Sequence, residues 1–150
     1  MTRLRVAVRV VLLDPSSRVL LFEGRDLADQ SDTVRYWFTA GGAVEEGESF
    51  AAAAERELRE ETGWSGLALV GPIGRREFDY LDHGVPTHQV EHFYAARTQQ
   101  VDLDDSGWTD HERAMTTAWR WWSHDELATT DAQIYPEDLV DLMTRVAGLV

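Results

Sequence analysis

Residues 42–64 read GAVEEGESFAAAAERELREETGW, and this stretch holds the best-marked helix of the chain. Ser49 is a good N-cap, the alanines at 51–54 have high helix propensity, and Gly63 is a natural stop. On a wheel of about 100° per residue, Glu57, Glu60 and Glu61 share one arc, because i, i+3 and i+4 neighbours lie on the same face. Ala51, Ala54 and Leu58 take the adjoining arc and should face a core, while Glu55 and Arg59 point to water. The three carboxylates therefore lie on the border between core and solvent, where a ligand cleft would form. Like charges at this spacing weaken a helix. A hard divalent cation, Mg²⁺ or Mn²⁺, takes oxygen ligands and would offset the repulsion. From spacing alone, a solvated acidic face balanced by Arg56 and Arg59 accounts for the pattern at least as well.

Working outward, residues 36–39 read as a short strand running into Gly41-Gly42, where the backbone can turn sharply or approach a ligand closely. Residues 24–35 are polar and read as a loop. Residues 3–13 and 18–23 are apolar runs around the turn formers Asp14-Pro15-Ser16-Ser17, which predicts a β-hairpin. Downstream, residues 67–80 and 87–97 read as longer strands joined through Asp82-His83-Gly84. Residues 99–113 are polar and acidic, hence a loop, and 118–122 are strand-like. Ser123 and Glu126 have capping-box spacing, and a last amphipathic helix is expected from Pro136. No repeat or linker interrupts the chain, so residues 1–150 read as one α+β domain.

The formal net charge is −13 over 150 residues. So acidic a chain should repel nucleic acid and anionic membranes unless a local basic patch or a cation intervenes. An anionic substrate would then need a metal ion as a bridge. The chain has no cysteine, which excludes disulfides, thiolate zinc sites and cysteine nucleophiles. No apolar stretch approaches the roughly 20 residues that span a bilayer. The run at 6–13 is interrupted by Arg9 and ended by Asp14-Pro15, so it reads as a strand and not as a signal peptide. A cytoplasmic location is the default.

The wider spacing adds a resemblance. Gly42, Glu48 and Arg56-Glu57-Leu58-Arg59-Glu60-Glu61-Thr62-Gly63-Trp64 stand at the intervals of the signature of the Nudix hydrolases, and every fixed position matches. The strand into the Gly pair, and Trp119 to Leu127 as a late strand and helix turn, are also similar to that family. Trp64, Ala40 and Ala43 replace residues more usual there, but none removes a ligand. The resemblance implies an α+β fold, a mixed sheet sandwiched between helices (α/β/α). Glu57, Glu60 and Glu61 would hold Mg²⁺ or Mn²⁺, with the Gly41 carbonyl a further ligand, and Arg56 and Glu48 would pair to fix the loop against the helix. A metal-activated water would attack phosphorus in a nucleoside diphosphate linked to another moiety.

The general base would come from outside the signature. Glu112 is the first candidate and Glu91 the second, with His83, His88, His92 and His111 behind them. Arg25, Arg35, Arg75 and Arg76 are candidate phosphate contacts, and Trp37, Tyr80 or Trp108 could stack a base. For these, surface exposure or core packing is the plainer reading. The expected partner is a small nucleotide, with a long nucleic acid and a membrane disfavoured. Family members are often homodimers. The alternative function is a Nudix-fold module that binds a nucleotide without cutting it.

Overall fold

Alternate residues of strand β1 (Arg3–Leu13) serve opposite faces of a sheet, and this period of two divides the interior into two cores. Val8, Val10 and Leu12 pack with Leu20, Phe22, Ala53, Ala54 and Leu58. Val11 and Leu13 pack with Val19, Leu21, Phe93, Leu139, Leu142 and Val146. Helix α1 (Phe50–Thr62) covers the first face. The second is covered by α3 (His124–Thr129) and α4 (Leu139–Val146). The result is the expected α/β/α sandwich in the α+β class. The computed structural model describes residues 1–26 and 29–150, so Leu27 and Ala28 of the expected 24–35 loop lie outside the described residues.

Strand β5 (Val85–Arg97) runs parallel to β1 from Arg3↔Thr87 to Leu13↔Arg97. Strand β4 (Val70–Asp82) pairs antiparallel with β5 and forms one edge. On the other side of β1, strand β3 (Arg35–Ala43) is shared between two neighbours. Its residues 40–43 pair with β1, and its residues 35–39 pair with β2 (Val19–Arg25). Strand β6 (Thr116–Trp122) lies beyond β2, and the short β7 (Ile134–Tyr135) runs parallel to β3 at Trp37 and Phe38.

Several local expectations change. The predicted hairpin is only a base: β1 and β2 meet at Leu13↔Val19 and then part, because β5 and β3 take the flanks of β1. The acidic 99–113 stretch is not all loop. It contains most of α2 (Asp110–Met115), started by a capping box between Thr109 and Glu112. The last helix begins at Leu139, since the Pro136 carbonyl first closes a turn by accepting from the Leu139 N–H. On α1, Ala51 is exposed and Ala53 takes its expected place in the core.

Candidate active site

Helix α1 is fixed at both ends as its sequence requires. Ser49 Oγ accepts from the Ala52 N–H at 3.1 Å, and the Gly63 N–H donates to the Arg59 carbonyl at 2.9 Å with Gly63 at φ +79°. The helix lies so close to β3 that a Cβ on Gly42 would sit 2.5 Å from Glu57 Oε1. A Cβ on Gly41 would sit 2.0 Å from the Val8 carbonyl oxygen. The Gly pair therefore admits the carboxylates of α1 to the strand backbone, and the Gly41 N–H donates to Glu61 Oε2 at 3.1 Å.

Glu57 and Glu61, one turn apart, are both buried, while Glu60 is 40% exposed at its side chain. Burial pushes the Glu57 carboxyl above its ordinary value, with Arg56 opposing and Glu60 and Glu112 adding to the rise. Burial pushes Glu61 up further, Glu57 adds to it, and the Gly41 N–H and Arg9 only partly compensate. Arg56 braces the cluster from outside. Its Nε and Nη2 donate to Glu48 at 2.8 and 3.0 Å, its Nη2 also to the Ala43 carbonyl at 3.0 Å, and its Nη1 to Glu57 at 2.9 Å and Glu60 at 3.3 Å. The Arg56 hydrogen bonds, with help from the Glu45 N–H, hold Glu48 down at about 2. Among the described residues, no three carboxylates or imidazoles already converge on one point.

Beside this cluster opens a cleft of about 1120 Å³. Arg5, Arg9, Gln89 and Glu91 on β1 and β5 line it, together with Tyr36 and Phe38 of β3 and Arg76, Phe78 and Tyr80 of β4. His83, His111 and Tyr135 also line it. In a chain of net charge −13, Arg5, Arg9, Arg25 and Arg76 bring positive charge into this cleft, where Asp26, Asp82 and Glu91 also line it.

The residues singled out from sequence are distributed unevenly around this geometry. Glu112 lies close enough to α1 to act on Glu57 and Glu61, and its Oε1 accepts from the Thr109 N–H at 3.0 Å. Glu91 lies in the cleft wall, buried and engaged by Arg9, Arg76 and Gln89. Arg76 lines the cleft with its guanidinium 4.2 Å over the Phe78 ring. Arg25 also lines it, with Nε bound to the Ala114 carbonyl.

Others stand away from the cleft. Arg35 is not among the lining residues and is folded back on Asp32 and the Val34 carbonyl. Arg75 pairs with Glu77. Trp37 points to the opposite face and packs edge-on against Trp122 at 5.1 Å, because alternation on β3 sends Tyr36 and Phe38 into the cleft instead. Trp108 is likewise taken up in packing, with its ring against Phe22 and its Nε1 donating to the Glu61 carbonyl. His88 sits between Asp79 and Glu77, and His92 stacks on Phe50. Sequence reasoning missed Arg5, Arg9 and Gln89. The signal for Arg9 was its interruption of an otherwise apolar strand, since a charge there needs a reason.

A model of the NUDIX domain matches residues 3–142. The chain is similar to an RNA pyrophosphohydrolase of Sphingopyxis alaskensis, 33% identical over 129 residues that cover 78% of this chain and 76% of that protein. It is similar to an RNA pyrophosphohydrolase of Caulobacter vibrioides, 34% identical over 135 residues covering 81% and 73%. Among solved structures, the E. coli dihydroneopterin triphosphate pyrophosphohydrolase shares the fold at a TM-score of 0.66 and 21% identity, with full coverage of both chains. The MutT protein from Methanosarcina mazei Go1 shares it at a TM-score of 0.68 and 17% identity, covering 99% of this chain and 96% of that one. The chain belongs to the NUDIX domain family and is a Nudix hydrolase of diphosphate linkages.

Proposed function

We propose that residues 1–150 act as one catalytic domain on a small nucleotide, with Mg²⁺ or Mn²⁺ held by Glu57, Glu60 and Glu61 and the Gly41 carbonyl. The observation that carries this is the pair of buried, mutually repelling carboxylates, Glu57 and Glu61, placed beside a cleft that arginines line. The donor set fits a hard cation, because it is all oxygen and its repulsion is only partly offset by Arg56 and Arg9. When bound, the cation neutralises diphosphate charge and acidifies a water ligand. Nudix proteins typically use divalent metals, and the residues around this site suit that habit.

The chain's own groups do the rest. Arg56, clamped by Glu48, holds Glu57 and Glu60 through its Nη1. Glu112 is the best-placed candidate base. One of its oxygens caps α2, while Oε2 makes no hydrogen bond among the described residues and is free to take a proton. Glu91 is poorly suited to that task, because its carboxylate already accepts from Arg9, Arg76 and Gln89. Arg25 and Arg76 offer charge to phosphates, and Tyr36, Phe38, Phe78 and Tyr80 offer flat walls to a base.

RNA is the second reading, favoured by the name of the Sphingopyxis and Caulobacter relatives. The net charge of −13 argues for the free nucleotide over a long strand. Among the described residues no helix is long and apolar enough to cross a membrane, and we assign the chain to the cytoplasm, as a homodimer by family habit. The deciding experiment is hydrolysis of a panel of nucleoside diphosphate derivatives and 5′-triphosphorylated RNA, with Mg²⁺ and with chelator. Turnover that needs metal and disappears in Glu60→Gln supports the reading. Silence across the whole panel with metal present defeats it.

A further inference from the structure

The geometry points to Arg9 as the residue that grips the substrate's diphosphate from the cleft side, and to Glu91 as the positioning residue that aims it. This rests on the diphosphate-hydrolase reading above and concerns residues outside the signature.

Arg9 lies on β1 directly across from Gly41 in the sheet register. The glycine makes room for it: a Cβ there would stand 3.0 Å from Arg9 Cδ. From this position the guanidinium faces two groups of acids. Its Nε donates to Glu91 Oε2 at 2.8 Å, and its charge is felt by Glu61 and Glu57 on α1. Its Nη1 donates to the Thr39 carbonyl at 3.3 Å. A guanidinium has five N–H groups; here Nη2 has no hydrogen-bond partner among the described residues, the group lies 5.8 Å over the Phe38 ring, and the side chain lines the cleft. A cation with a free donor edge between metal-binding carboxylates and an open cleft is suited to a phosphate oxyanion.

Glu91 explains why Arg9 stays in place. It is 3% exposed and accepts from Gln89 Nε2 at 2.9 Å and from Arg76 Nη1 at 3.0 Å, besides Arg9. Gln89 is held in turn by Arg5 at 2.6 Å and Tyr80 at 3.1 Å. Glu91 is thus held by three donors, and Arg9 cannot swing toward Glu61 without costing Glu91 a partner. Arg76 is itself held from two sides, since its Nη2 also donates to Glu137 Oε1 at 3.4 Å.

The test uses the whole protein with Mg²⁺ and two readouts, steady-state kinetics on whichever panel substrate is turned over and calorimetric binding of methylenediphosphonate, the non-hydrolysable diphosphate group alone. Arg9→Gln should raise KM and weaken methylenediphosphonate binding by about ten- to a hundredfold, the worth of a charge-assisted hydrogen bond. Glu91→Gln should give a smaller loss, about tenfold in KM with kcat nearly kept. If Glu91 acts through Arg9, adding Glu91→Gln to Arg9→Gln should cost nothing further. The double variant also guards against misfolding, because it does not leave Glu91 buried without Arg9. A folded single or double variant that binds methylenediphosphonate as wild type does, or a wild type that turns substrate over but does not bind it, overturns the assignment. A wild type that hydrolyses nothing on the panel defeats the functional reading itself, which is a different outcome.

Discussion

Glu61 and Glu91 are both buried glutamates within the reach of Arg9, and their carboxyls are driven in opposite directions. Burial raises both. At Glu91 the guanidiniums of Arg9 and Arg76 overcome it and leave the group below its ordinary value. At Glu61 a neighbouring glutamate adds to burial, and one backbone N–H with the more distant Arg9 cannot offset the sum. A fully hydrogen-bonded carboxylate is a structural hub. One left repelling its neighbour in a buried position is destabilising on its own and becomes useful only when a cation arrives.

Next to the loss of turnover in Glu60→Gln, the largest effect should come from Glu61→Gln. It should cut turnover by more than about a hundredfold, since even loss of a group that merely supports a metal ligand costs ten- to a hundredfold. The same change should raise stability in chelator. A folded-state carboxyl that titrates above its unfolded value stabilises at low pH and loses that contribution as pH rises through the raised value. Glu61→Gln removes this loss, so the metal-free variant should melt a few degrees above wild type at neutral pH, the shift expected of about 1 kcal/mol. A variant that melts lower in chelator would break the comparison. Glu112→Gln comes next, with kcat reduced by about a hundredfold, the lower end for general-base loss. An unchanged turnover eliminates Glu112.

The pH dependence of metal binding should be gentler. Glu57 and Glu61 titrate above the usual carboxylate range, so protons compete with the cation as pH falls from neutrality into that raised window. Apparent Mg²⁺ affinity, followed by calorimetry, should weaken there. Glu48, held at about 2, should not titrate in the same interval, so the Arg56 brace stays intact. Affinity independent of pH down to the ordinary carboxylate range would contradict the raised values.

The signature helix was legible from sequence because capping residues and 3.6-residue spacing are local. Ser49, Gly63 and the arc of Glu57, Glu60 and Glu61 need no knowledge of the rest of the chain. The cleft was not legible, because it depends on pairings between distant strands. Arg9 meets Glu91 only through the parallel register of β1 and β5, and Trp37 is exchanged for Tyr36 and Phe38 by the pleat of β3. The hairpin forms only at its base for the same reason: a turn signal at Asp14-Pro15 marks a reversal but does not say which strand takes the flank. Helix α2 was hidden by its acidic composition, although Thr109 and Glu112 carry the same capping spacing that identified the helix after Ser123.

The smallest effect, and the one that sharpens the contrast most finely, should come from Glu48→Gln. Arg56 could in principle do for Glu57 what Arg9 and Arg76 do for Glu91. It does not, because its Nε and Nη2 are spent on Glu48 and only Nη1 reaches Glu57 and Glu60. Glu48 thus keeps a nearby cation from neutralising the carboxylates of α1. Glu48→Gln keeps a hydrogen-bonding group but drops the charge, which frees Arg56 to lean toward Glu57. The Glu57 carboxyl should then titrate lower, and Mg²⁺ should bind about tenfold more weakly because it competes with a guanidinium. Carbon-detected NMR titration of the glutamates, beside calorimetry, checks both at once. A weaker metal affinity with Glu57 unmoved would mean that Glu48 acts by holding the loop alone, and not by occupying Arg56.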